Sequence, residues 1–324
     1  MRALVCTELT GLSGLSVQDL PSPPVGPSDV RIRVRAAGVN FADTLVIRGA
    51  YQEKPALPFV PGSEAAGEIL EVGADVRAFA VGDPVVAMLR IGAFAEEAVA
   101  PVGRVHRMPE GVDFAVAAGF PVAYGTAHVA LARRAGLRRD EVLVVHGAAG
   151  GVGLAAVEVG RALGARVIAT ASSDEKLAVV HGHGAHEVIH TGREDVKARV
   201  KELTGGKGAD VIFDPVGGDL FDASVRCLAT EGRLLTIGYA SGRIPQVPAN
   251  LLLVKNAVVI GVYWGAYLEK DPHVVHESLD QLLAMLGRGV LRPRVDSRVP
   301  LDEGGSAIAT LGERRAIGKV VIVP

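Results

Sequence analysis

The sequence predicts an α/β protein in two parts, a strand-rich, β-barrel-like part and a doubly wound parallel sheet. Three observations predict it. Residues 1–110 carry short β-branched or alternating runs separated by turn residues. Beyond about residue 122, similar runs alternate with helical segments. Forty of the 324 residues are glycine with no Gly-X-Y period, so they mark tight turns and close backbone approaches.

In the first part, 30–37 (VRIRVRAA) and 66–72 (AGEILEV) read as strands. Residues 72–87 read as strand, turn, strand, with turns at Gly73, Gly82 and Pro84, and 92–101 continue the pattern. The uncharged run 114–132 is interrupted by Gly119, Pro121 and Gly125, which makes it two buried pieces joined by a turn rather than a membrane span. The second part opens on EVLVVHG (141–147), a buried strand ending in glycine. A helix (151–165), a strand (166–171), a helix (173–184), a strand (187–191) and a helix (194–206) follow. ADVIFDPVGG (209–218) and GRLLTIGYASG (232–242) are strands ending in glycine loops, with a helix between them. Residues 257–265 form a further strand, 273–289 an amphipathic helix, and 318–324 a lone strand that returns to the first part and closes it.

Composition limits the function. Cys6 and Cys227 are the only cysteines, which excludes a disulfide framework and a Cys-rich zinc module and points to a reducing, cytoplasmic setting. Lys and Arg number 34 against 36 Asp and Glu, a net charge of −2, which argues against nucleic acid or an anionic membrane as a partner. The N-terminal apolar run is too short for a signal segment.

HGAAGGVG (146–153) carries the most chemistry. It follows a strand and opens a helix, as the dinucleotide fingerprint requires, although Ala148 stands in the first glycine slot. Backbone amides over Ala149, Gly150, Gly151 and Val152 can approach a pyrophosphate at a helix N-terminus, and Gly153 allows close helix–strand packing. The bland alternative is an ordinary βα turn of small residues. An NAD site usually places an acid at the end of the second strand; here Ala171, Ser172 and Ser173 stand there. Ser172, Ser173 and Lys176 suit the 2′-phosphate of NADPH, although Ser172 and Glu175 also read as a capping box with Lys176 merely solvated.

These residues resemble the zinc-free quinone oxidoreductase branch of the medium-chain dehydrogenase/reductase superfamily. The likeness runs through 36–51, 58–73, 81–87, 121–131, 146–177, 213–218 and 317–324. It implies a GroES-like β-barrel catalytic domain from 1–122 and 264–324, a Rossmann domain over 123–263, and a homodimer paired through the strand near 257–262. Zinc-dependent relatives have cysteine and histidine ligands where this chain has Asn40 and Ser63, and no cysteine lies near 121–123, so no metal is expected. His181, His183 and His186 look metal-like but sit at a helix end, where solvation or capping accounts for them.

By resemblance, Asn40 and Tyr51 line the catalytic site. Their plain alternatives are a turn asparagine and a tyrosine half-buried against Pro55 or Pro58; Asp43 and Arg48 are expected to pair or cap. Thr126 would bond the nicotinamide carboxamide, or cap a helix, and Tyr124 would face the ring. Gly238, Tyr239 and Ser241 would lie beside the nicotinamide half. Arg314 and Lys319 would reach the adenosine 2′-phosphate or be surface charges, and Thr191 replaces a tyrosine that a branch member uses there. Aromatic residues of YWGAY (263–267) suit either a flat acceptor or an interdomain or dimer contact.

The expected activity is zinc-independent hydride transfer from NADPH to a quinone-type acceptor across the cleft between the domains. Reduction of an enone, alkenal or enoyl thioester is the nearest alternative. A non-catalytic NADPH-binding protein, crystallin-like or RNA-associated, is the distant one.

Overall fold

The structure, a computed structural model, describes all 324 residues. They form two units, one from residues 1–122, 283–288 and 293–324, the other from 123–282 and 289–292.

The first unit begins with an antiparallel pair, β1 (Arg2–Cys6) and β2 (Leu15–Asp19). β3 (Asp29–Gly38), β4 (Glu64–Val72), β5 (Pro84–Met88), β6 (Glu97–Pro101) and β7 (Val105–Arg107) follow. β3 is the hub, pairing antiparallel with both β4 and β6. Its inward residues Val30, Ile32 and Val34 are buried while Arg31, Arg33 and Arg35 alternate outward, the two-residue period of a strand with one face on the core. Of the expected strand 92–101 only Glu97–Pro101 forms; Phe94, ahead of it, is fully buried. The segment β1, too short to show a period, was not legible from the sequence.

The second unit holds β8 (Val142–Val145), β9 (Arg166–Ala171), β10 (Glu187–His190), β11 (Ala209–Asp214), β12 (Leu228–Thr236) and β13 (Val258–Gly261). They form one parallel sheet in the order β10-β9-β8-β11-β12-β13. β8 reads Val-Leu-Val-Val and is wholly buried, as a strand covered on both faces must be.

Two further strands return to the first unit. β14 (Val295–Pro300) lies parallel to β15 (Lys319–Val323), and β15 pairs antiparallel with β3. The return comes at residue 283, not at 264. Trp264 packs flat on Gly125, where a Cβ would stand 2.8 Å from the indole, and Ser278 Oγ bonds His128 Nδ1 at 2.8 Å. These contacts hold 264–282 in the second unit.

Helices connect the strands: α1 (Phe41–Val46), α2 (Phe114–Ala118), α3 (Pro121–His128), α4 (Gly151–Ala162), α5 (Asp174–Gly182), α6 (Val196–Leu203), α7 (Gly218–Cys227), α8 (Ala249–Lys255), α9 (Gly265–Lys270), α10 (Pro272–Gly287) and α11 (Gly304–Gly312). The uncharged run 114–132 becomes α2, a break at Gly119, and α3, which Pro121 opens. No helix is long and apolar enough to cross a membrane.

Candidate functional site

In the first unit, strand register builds a buried polar cluster. Val321 stands opposite Gly38, which continues to Lys319 opposite Asn40, and Ala65 stands opposite Ala37, which places Glu64 beside Gly38. β3 ends at Gly38, and the extended backbone of Asn40 opens α1. The backbone amide of Asn40 donates to Asp43 Oδ2 at 2.7 Å. Asp43 caps the helix, the role expected of it, and Asn40 occupies the cap position of the plain alternative.

Glu64 is fully buried and well partnered. Its Oε1 accepts from Lys319 Nζ at 2.8 Å and Asn40 Nδ2 at 2.9 Å, and its Oε2 from the Val122 amide at 2.8 Å. Lys319 Nζ donates further to Val39 O at 2.8 Å and Asn40 Oδ1 at 2.7 Å. Lys319 is therefore neither a surface charge nor a phosphate ligand, since its ammonium is consumed by three oxygens in the core. A strand-start lysine reads as exposed in sequence, and only the register to Glu64 reveals its partner.

Asp43 is buried beside this cluster, and burial pushes its carboxyl up to about 7; the Asn40 amide and Lys319 pull the other way, and Glu64 adds to the rise. Tyr51 is half-buried in the irregular segment after α1.

In the second unit the carboxyl ends of β8, β9 and β12 lead into the expected cofactor segments at 149–152, 172–176 and 238–241. The strand order reverses between β8 and β11, the switch point where ligands of such sheets bind. Gly147, after β8, has φ +54° and leaves 3.0 Å between its missing Cβ and Val216 Cγ2 in the loop after β11. The first intrahelical bond of α4 runs from Leu154 N to Gly150 O at 2.8 Å, so the amides of Gly151, Val152 and Gly153 are helix-start donors. Gly153 admits no side chain, because a Cβ would lie 2.3 Å from Gly147 O. Ala149 is buried and Gly150 half-buried in the same turn.

Asp214, missed in the sequence, ties the second glycine loop: its Oδ1 accepts from the amides of Val216 at 2.8 Å and Gly217 at 2.9 Å. Gly217 and Gly218 in turn admit the loop after β12, with Tyr239 Cδ1 3.1 Å and Ser241 Oγ 2.8 Å from where their Cβ atoms would be. Tyr239 is exposed, and Gly238 and Ser241 are half-buried.

At the end of β9 the helix cap is Ser173, not Ser172. Ser173 Oγ accepts from the Lys176 amide at 3.3 Å, because β9 runs on to Ala171 and leaves Ser173 extended. Ser172 is exposed and Lys176 half-buried. Asp174 is paired with Arg193, a cation after β10 that the sequence reading did not single out. Thr191 hydrogen-bonds Ala171 O, and Arg314 is exposed with φ +57° in the first unit.

Two expectations on α3 are corrected. Tyr124 is buried and donates to Glu158 Oε2 at 2.8 Å, and burial with that carboxylate raises its phenol pKa. It is committed to the core of its unit rather than to a ring in the cofactor site. Thr126 is no helix cap, since Pro121 opens α3 and Thr126 lies buried five residues inside. Glu158 also accepts from the Arg292 amide at 2.9 Å and holds His183 Nδ1 at 2.5 Å. His186 Nδ1 accepts from the Val167 amide at 2.9 Å.

Comparison with known proteins agrees with this architecture. Residues 26–110 match the alcohol dehydrogenase GroES-like domain and 151–284 the zinc-binding dehydrogenase domain. A quinone oxidoreductase-like protein 2 homolog of Nematostella vectensis is 42% identical over 99% of this chain and 88% of its own. A quinone oxidoreductase of Pseudomonas aeruginosa is 38% identical over 96% and 95%. The Escherichia coli quinone oxidoreductase complexed with NADPH superposes with a TM-score of 0.93 at 28% identity, covering all of both chains. The chain therefore belongs to the medium-chain dehydrogenase/reductase superfamily, in its quinone oxidoreductase branch, and is an oxidoreductase of that group.

Proposed function

We propose that this chain is an NADPH-dependent, zinc-independent quinone reductase. The observation that carries the zinc-free part is the Lys319 ammonium seated among Val39 O, Asn40 Oδ1 and Glu64 Oε1. A zinc ion does not fit there. The donors at positions 40 and 63 are an amide and a hydroxyl rather than thiolate and imidazole, and a cation already neutralises Glu64.

The residues at the strand ends fit NADPH. The α4 amides offer donors to a pyrophosphate, and Gly147, Gly153, Gly217 and Gly218 let the surrounding loops pack where a Cβ would come within 3.0 Å of neighbouring atoms. The acid nearest the end of β9, Asp174, is neutralised by Arg193, and Ser172, Ser173 and Lys176 add donors and a cation. That balance favours a 2′-phosphate over a bare ribose hydroxyl. When bound, the nicotinamide supplies a hydride.

Asn40 holds the acceptor oxygen through its amide, and Tyr51 or solvent supplies the proton. Quinones need only hydrogen bonds and a proton for their reduced oxygens, which suits a site without a Lewis acid. The test is to follow nicotinamide oxidation with NADPH and NADH against a quinone, an alkenal and an acryloyl thioester. Turnover of NADPH with the quinone is expected. Preference for the alkenal or thioester would reassign the acceptor, and no turnover with any acceptor would overturn the reading.

A further inference from the structure

We propose that Lys319 is a positioning residue which, with Glu64, fixes the orientation of the Asn40 amide; the inference rests on the assignment of Asn40 to the acceptor site. An ammonium can only donate and a carboxylate can only accept. With Lys319 Nζ 2.7 Å from Oδ1 and Glu64 Oε1 2.9 Å from Nδ2, the Asn40 amide has one orientation. A flip would turn its NH2 toward the ammonium and its carbonyl toward the carboxylate. Elsewhere an asparagine amide is free to choose by weaker preferences; here two buried charges choose for it.

The same two charges act on its reactivity. A cation at the oxygen and an anion at the nitrogen both favour the charge-separated resonance form of the amide. The Lys319 cation at the carbonyl oxygen thereby polarises the remaining Nδ2–H toward an acceptor. Its only partner in the fold is Gly38 O at 3.4 Å, a long bond that an acceptor oxygen can replace.

The clamp is built into the core rather than laid over it. A Cβ on Gly38 would stand 2.4 Å from Glu64 Oε1, and the Lys319 stem passes 3.1 Å from the Cβ position of Gly119. The Val122 amide takes the other oxygen of Glu64. Both glycines make room for the pair, and the backbone donor anchors it.

The test combines kinetics with a readout that needs no turnover. Lys319→Met is expected to lower kcat for the quinone about ten- to hundredfold while the Kd for NADPH holds. Lys319→Arg is expected to recover much of the loss. In an Asn40→Ala background, Lys319→Met is expected to cost no more than about twofold further. An equal loss in both backgrounds would show Lys319 acting independently of Asn40 and overturn the proposal. Should the unpaired Glu64 prevent folding, Glu64→Gln/Lys319→Met removes both charges; wild-type kcat in that variant would overturn the proposal as well.

The second readout uses the three asparagines of the chain, Asn40, Asn250 and Asn256. In protein labelled with 15N at asparagine, the Asn40 side-chain pair is assigned by its loss in Asn40→Asp. Its displacement in Lys319→Met and retention in Lys319→Arg are expected; an unmoved pair overturns the clamp. If the wild type turns over no acceptor, the proposed function fails while this spectrum still decides the inference.

Discussion

Asp43 carries a burial cost that titrates. Its carboxyl is raised to about 7 from 3.8, so the folded state holds a proton that the unfolded state has released between those values. Its contribution to stability is present at low pH, declines as pH rises through that window, and is flat above it. Lys319, Glu64 and the Asn40 amide are the groups facing it. Asp43→Asn keeps an acceptor for the Asn40 amide and removes the titration. Denaturation at pH 5 and pH 8 is expected to show the variant gaining about 3 kcal/mol on the wild type, from two pH units at about 1.4 kcal/mol each. Tyr124 gives a second residue-scale prediction. Tyr124→Phe removes one donor from the buried Glu158 carboxylate, so about 1–3 kcal/mol of stability is lost with the NADPH Kd unchanged. A weakened NADPH Kd would return Tyr124 to the cofactor site.

Among the elements, the β8–α4 turn is the most constrained. Gly153 is helical, where alanine would ordinarily help, but its Cβ position lies 2.3 Å from Gly147 O. Gly153→Ala must therefore push the helix from the strand, at about 1–3 kcal/mol, and is expected to weaken NADPH binding about tenfold or more by fluorescence titration. This turn was legible in the sequence because its chemistry is local: strand, glycines and helix follow one another within a few residues. The Asn40 cluster was only half legible. Asn40 could be singled out, yet Glu64 and Lys319 meet it only through the pairing of β4 and β15 with β3. Likewise Tyr124 reads as a cofactor residue until Glu158, one helix away, takes its hydroxyl.

For the whole molecule, the parallel sheet was the more legible unit, since alternating strands and helices state its topology. The barrel-like unit was less so, because its first strand pair is short and its closure joins distant segments. An exposed edge remains for association. β13 ends the sheet with Val258 exposed at 46%, and Leu253 and Val254 of the preceding α8 are exposed at 78% and 75%. A hydrophobic strip of this kind along an unpaired edge invites a second copy. Sedimentation is expected to show a homodimer, and Val258→Lys with Val254→Lys to yield monomers; an unchanged mass would place association elsewhere.

The pairing of Lys319 with Glu64 also sets an order of events during synthesis. These residues are 255 positions apart, with the entire parallel sheet encoded between them. On the ribosome, Glu64 must wait for its counter-ion until that sheet has been made, and the sheet can fold first. Until then a carboxylate destined for complete burial stays in water, and β3 stays open along the side that β15 will take. The last strand to be made therefore brings two things at once, the pairing partner of β3 and the cation of the Asn40–Glu64 cluster.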